Sequence, residues 1–251
     1  DLRNCLTALA DREPLMERLM QYRFQGDSPL AGHCFGNLFI AAMAQAEGGM
    51  EAGLNATSQI LKVRGRVIPS TLEDIRLQAR MTDGSIVTGE SEIPKVRKHI
   101  KKMMMLPADA QAANGAIDAI LNADVLIFGP GSLYTSVIPN LLVEGIRDAV
   151  VRSKAVKIYI CNVMTQPGET DGFYVEDFVR VLEHYLGEGR IDYLLVNSGE
   201  LRPDLVQKYQ SEGKSPVLMR DREALQARGI KVVERDFTSE TDYIRHDPRK
   251  L

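Results

Sequence analysis

The sequence predicts an α/β fold, a mostly parallel sheet with helices on both faces and a small β-rich insertion. Three observations carry that expectation. From about residue 108 onward, short and continuously apolar runs alternate with amphipathic stretches, the rhythm of buried parallel strands crossed by helices. Between 64 and 107 the pattern switches to period-two alternation, with Asp83-Gly84 between two strand-like runs, a hairpin signal. Residues 1–63 instead place apolar residues three and four apart, as helices do. The expected organisation is one parallel-sheet domain from 1–63 and 108–251, with 64–107 inserted as a β-rich unit.

The opening stretch DLRNCLTALADREPLMERLMQYRF reads as helix, with Leu6, Leu9, Leu15 and Leu19 at helical spacing. A buried strand would be the more usual start for an α/β domain. Residues 33–63 give two helices separated by Glu47-Gly48-Gly49-Met50. Ile75, Leu77 and Ala79 then share one side of a strand. Lys95, Arg97, Lys98, Lys101 and Lys102 crowd the next segment. Such a run is ordinarily a solvated strand face or edge; the sharper reading is a basic patch facing a phosphate or a partner subunit. AIDAILNA (116–123) is a short helix, DVLIFGPGS (124–132) a strand ending in a turn, and LLVEGIRDAVVRS (141–153) the helix after it. AVKIYICNV (155–163) and IDYLLVNS (191–198) read as strands, EDFVRVLEHYLG (176–187) and PDLVQKYQSEG (203–213) as helices, and SPVLM (215–219) as a last short strand.

Composition narrows the function classes. The 251 residues are 44% hydrophobic and 26% charged, with a formal net charge of -3. That balance suits an ordinary globular protein and argues against a surface built for nucleic acid. No apolar run approaches the roughly 20 residues that span a bilayer, and the first residues lack the basic-then-apolar layout of a secretion signal. The three cysteines, Cys5, Cys34 and Cys161, are far apart, and the four histidines, His33, His99, His184 and His246, are equally scattered. The expectation is a cytoplasmic protein with reduced thiols, no metal and no cofactor.

In an open parallel sheet, ligands bind beyond the carboxyl ends of the strands. Three loops belong there: 129–136, 162–172 and 197–203. Gly129 and Gly131 let the backbone approach a ligand, and the helix start that follows offers unpaired N–H groups. Ser132, Thr135 and Ser136 add hydroxyls, so the turn suits a phosphate or diphosphate, or else is a plain glycine turn with Ser132 as a cap. Asn162, Thr165, Gln166, Glu169, Thr170 and Asp171 crowd the second loop, where the carboxylates could hold a metal or sugar hydroxyls. Tyr209 could stack on a base and Arg245 could fork onto phosphate oxygens, although such residues more often serve packing and solubility.

The strings DLRN, YRF, GHCFGNL, VRGRVIPST, DGSIVTGES, GPGSLYTSVIPNLLV, YICNVMTQPGETDG and IRH resemble the bacterial YvcK family of gluconeogenesis factors. That family is a branch of the superfamily of CofD, the 2-phospho-L-lactate transferase of deazaflavin cofactor biosynthesis. The resemblance covers nearly the whole chain. It implies a Rossmann-like nucleotide-binding domain and a cytoplasmic protein tied to cell shape and cell-wall synthesis under gluconeogenic growth. The implied ligand is a UDP-sugar, notably UDP-N-acetylglucosamine, with Tyr209 and Arg245 where the nucleotide-sugar is contacted. It implies a regulatory binding protein without assigned catalytic residues, the alternative being a CofD-like transferase. It also leaves room for homo-oligomers and for contacts with cell-wall synthesis proteins. Family members carry a strand, a GGGTG loop and an Asp-Asp-Gly segment before the equivalent of DLRN. This sequence has none of the three, so the expectation is a shortened chain that binds nucleotide below full strength.

Overall fold

The computed structural model describes residues 2–10, 14–240 and 243–251. The chain divides into two compact units, Asp1–Leu72 and Glu73–Leu251.

The first unit is helical. It comprises α1 (Leu2–Leu9), α2 (Pro14–Gln21), α3 (Phe35–Ala46) and α4 (Met50–Ile60). Leu6, Met20, Ile40, Leu54 and Leu61 form its core, drawing one or more residues from each helical stretch as the three-and-four spacing requires. The break between α3 and α4 falls on the Glu47-Gly48-Gly49 step.

The second unit starts with an antiparallel sheet of β1 (Arg76–Met81), β2 (Ile86–Thr88) and β3 (Ile100–Leu106), in the order β2-β1-β3. Gln78 pairs with Thr88 and Arg80 with Ile86, which puts Asp83-Gly84 at the tip of the hairpin. Asp83 Oδ1 accepts from the Ser85 N–H at 3.0 Å and the Ser85 hydroxyl at 2.6 Å, an Asx turn that fixes the register. Leu77, Ala79 and Met81 face inward with Met103 and Met105, while Lys101 and Lys102 face solvent.

The parallel sheet comprises β4 (Val125–Phe128), β5 (Val156–Ile160), β6 (Tyr193–Asn197) and β7 (Lys231–Arg235), in the order β4-β5-β6-β7. Helices surround it: α5 (Ala116–Leu121), α6 (Ile138–Leu142), α7 (Ile146–Arg152), α8 (Val175–Leu186), α9 (Pro203–Ser211) and α10 (Arg222–Ala227). A ribbon of β8 (Thr238–Glu240) and β9 (Ile244–His246) follows. The α/β class is as the sequence predicts. All four strands run the same way, so their carboxyl ends open on one edge.

Two elements differ from expectation. The segment 215–219 is not a strand of the sheet: it makes one bridge, Pro216 to Met164, and Val217 donates to Val163 O at 2.8 Å. Its apolar residues pack on the loop after β5, and Pro216 has no N–H for a ladder. The fourth strand is β7, whose outer residues Lys231 and Arg235 hide its strand character. The helix expected over 141–153 is two, α6 and α7, because Gly145 takes a left-handed φ of 79° between them.

One buried charge holds α8 in place. The Glu183 side chain is 1% exposed and accepts from Arg228 and from the Gly189 N–H. Arg228→Ala strands that carboxylate and should cost about 2 kcal/mol, below the 3–5 of a fully buried pair because Arg228 is partly solvated. Urea unfolding midpoints will read the loss, and breaking the exposed Lys95–Glu92 pair should leave the midpoint in place.

Candidate functional site

The carboxyl ends of β4, β5 and β6 run into the 129–136, 162–172 and 197–203 loops. Gly129 has a φ of 81°, and a Cβ there would stand 3.0 Å from Ile160 O, so the turn passes close against the end of β5. Ser132 then caps a π-helical turn, Leu133–Val137, that leads into α6: its Oγ accepts from the Thr135 N–H at 3.2 Å, and its carbonyl accepts from Ser136 and Val137. The N–H groups of Gly131, Ser132 and Leu133 have no acceptor among the described residues. Three adjacent donors without an acceptor at a helix start are groups that an anion satisfies.

The hydroxyls and N–H groups next to them are engaged from within the chain. Glu169 is 5% exposed. It accepts from the Ser132 hydroxyl, and Thr135 Oγ1 lies 3.2 Å from its Oε1 and 2.6 Å from Ser132 Oγ. Thr135 has one hydroxyl proton, so it serves one acceptor at a time. Burial pushes the Glu169 carboxyl above its ordinary value; the two hydroxyls and the N–H groups of Thr135 and Tyr134 pull part of the way back. The sequence offers Glu169 as one that could hold a metal or sugar hydroxyls. Its partners in the chain lie 37 and 34 residues earlier, a pairing no local pattern signals.

The remaining residues of the second loop divide in use. Asn162 Nδ2 donates to Gly131 O at 2.8 Å and so ties the loop to the glycine turn. Thr165 is buried and exchanges two hydrogen bonds with Ser215, at 2.7 and 2.8 Å. Gln166 keeps a buried Oε1 with no hydrogen-bond partner, an acceptor still open to a donor. The Gly168 N–H donates to Asp171 Oδ2 at 2.6 Å.

Beside this loop a cavity of about 280 Å³ opens, lined by Val163, Asn197, Gly199, Leu201, Pro216 and Leu218 among others. Tyr209, half-buried on α9, packs on the cluster of Val163, Met164, Leu205 and Ile244, with Lys214 Nζ 5.1 Å from its ring centre. Ile244 precedes Arg245 on β9, so one cluster brings together the second loop, α9 and the ribbon. Arg245 is exposed and lies over the Tyr243 ring at 4.9 Å. From the β-rich segment, Arg97 approaches the same region: its Nη1 is 3.5 Å from where a Cβ on Gly213 would stand. Sequence reading left Lys214 out and saw Arg97 only as part of a charge run.

The comparisons agree with this architecture. The profile of the family described as 2-phospho-L-lactate transferase CofD matches residues 1–238. The Gluconeogenesis factor of Bacillus subtilis is 44% identical over 252 residues, covering 100% of this chain and 79% of that protein. The one from Halalkalibacterium halodurans is 43% identical over 252 residues, with 100% and 78% covered. A relative from Nostoc sp. is 46% identical over 254 residues, and the chain spans 56% of its length. The crystal structure of a Bacillus halodurans protein superposes with a TM-score of 0.95 at 43% identity, over 100% of this chain and 80% of that one. The chain therefore belongs to the CofD family, among the gluconeogenesis factors.

Proposed function

We propose that the chain binds a nucleotide-sugar, UDP-N-acetylglucosamine or a close UDP-sugar, as a cytoplasmic regulatory protein of cell shape and wall synthesis under gluconeogenic growth. The observation that carries the reading is the run of unclaimed N–H donors at Gly131, Ser132 and Leu133, and the reading brings Tyr209 and Arg245 to the same ligand. The diphosphate sits on the Gly129–Ser132 turn with Arg245 neutralising charge. The sugar lies by Asn162, Thr165 and Gln166, where the open Gln166 Oε1 takes a hydroxyl proton. Uracil stacks near Tyr209. The choice of ligand rests on the family. Binding acts as a signal by favouring one conformation or one assembly, including contacts with wall-synthesis proteins.

Calorimetry of the full-length protein with UDP-N-acetylglucosamine tests this. Arg245→Ala should weaken binding by about 1.5–3 kcal/mol, the range for charge-assisted hydrogen bonds. Tyr209→Ala should cost about 1–3 kcal/mol if its ring stacks on the base. Unchanged affinity in both variants would move the pocket elsewhere. The family match to a transferase favours a second reading, transfer of a phosphorylated group from a nucleotide diphosphate. Recovery of free UDP or a transferred group after incubation would establish that reading; return of intact ligand supports the first.

A further inference from the structure

Away from the strand ends, a second cavity of about 180 Å³ lies between β3 and α8. Its floor is Ile100, Val181 and Tyr134, all buried, and its rim carries Lys101, Arg180 and His184 beside Tyr185. No carboxylate lines it. Asp177 pairs with Arg180 at 2.9 Å from outside the lining, and exposed pairs of this kind hold a guanidinium weakly. Lys101 has no carboxylate partner among the described residues, whereas Lys98 on the same segment is taken by Asp83 at 2.6 Å.

Tyr134 is the telling residue. It is 4% exposed, its ring stands edge-on to Phe173 at 6.3 Å, and its hydroxyl has no hydrogen-bond partner among the described residues. The ring is buried while the residue lines a cavity with three basic side chains. The Tyr185 hydroxyl beside it already accepts from the Met103 N–H at 2.7 Å, which fixes that ring as a wall.

We propose that this cavity is a second ligand site, for a small phosphate monoester held by Lys101, Arg180, His184 and the Tyr134 hydroxyl. A dianion answers the cationic rim and gives the phenol its missing acceptor. The apolar floor and the Tyr185 ring meet a short carbon body. Size excludes a nucleotide, because pockets that enclose drug-sized ligands run to about 300–1,000 Å³. Tyr134 belongs to the same π-helical turn as Thr135, next to Ser132, so ligand here and ligand at the strand ends act on one backbone segment. Any coupling between them is reciprocal.

The test uses full-length protein with methyl-labelled side chains, and propyl phosphate and inorganic phosphate as probes. Saturable shifts are expected at the Ile100 and Val181 methyls, with propyl phosphate the tighter. Lys101→Ala combined with Arg180→Ala should weaken binding at least about tenfold, given what charge-assisted contacts contribute. Tyr134→Phe keeps the ring and its packing and should weaken binding several-fold. Shifts confined to Val163 and Leu201, no saturation, or equal affinity in all variants would overturn the proposal.

Discussion

Gly168→Ala should destabilise the protein by about 3–5 kcal/mol, near the upper end for a single substitution. Two costs add. The backbone has a φ of 80°, where an L side chain costs about 1–2 kcal/mol. The new Cβ would stand 1.9 Å from Pro94 O and 2.6 Å from Pro94 C. Both are main-chain atoms of the 3₁₀ turn Pro94–Val96, so no rotamer change relieves the clash, and one of two loops must move. Gly84 is the control: its φ is 88°, but nothing lies within 4 Å of a Cβ there. Gly84→Ala should therefore cost about 1–2 kcal/mol, the conformational part alone. Urea unfolding of the two variants separates strain from collision, and equal losses would show that the contact with Pro94 yields. Gly168 also precedes Glu169, so under the proposed function the substitution should weaken nucleotide-sugar binding as well.

How much was legible follows from how local each signal is. The Asp83-Gly84 hairpin is written in adjacent residues and forms with that tip. β4 is a continuous apolar run, β5 and β6 are nearly so apart from Lys157 and Asn197, and sequential strands joined by helical crossovers lie side by side. SPVLM and KVVER were harder because apolarity reports burial without naming the partner. Val217 is 6% exposed against the second loop, and Val232 is 7% exposed in the sheet. At the strand ends, the glycine and hydroxyl turn is legible as a strand-to-helix turn with Ser132 as its cap. Its internal partner, Glu169, is not, because a pairing across 37 residues leaves no periodic trace. Tyr134 reads as an ordinary core aromatic until the cavity beside it is seen.

Replacing Glu169 tests two roles, as internal partner of the turn and, under the proposed function, as competitor for a ligand phosphate. Glu169→Ala takes a charged acceptor from the Ser132 and Thr135 hydroxyls. Bonds to charged groups contribute about 1.5–3 kcal/mol each, but the Thr135 proton is shared and burial of the carboxylate offsets most of the gain, so the net loss should be about 2 kcal/mol. Phosphate added to the buffer should restore much of it, because an anion that binds only the folded state stabilises by about 2.7 kcal/mol at 100 times its Kd. The wild-type turn, with its carboxylate in place, should gain less. Glu169→Gln tests the proton. The folded carboxyl titrates above its ordinary 4.5, so the folded state binds the proton more tightly than the unfolded chain. Its contribution is full below 4.5 and is lost as pH rises through the folded value. Wild type should therefore lose stability relative to Glu169→Gln as pH rises above 4.5, a difference that cancels the titration of every other group. Equal phosphate stabilisation of wild type and Glu169→Ala would put the anion somewhere other than this turn. A pH difference of opposite sign would mean that the hydroxyls and N–H groups outweigh burial, leaving Glu169 a permanent anion that no ligand displaces.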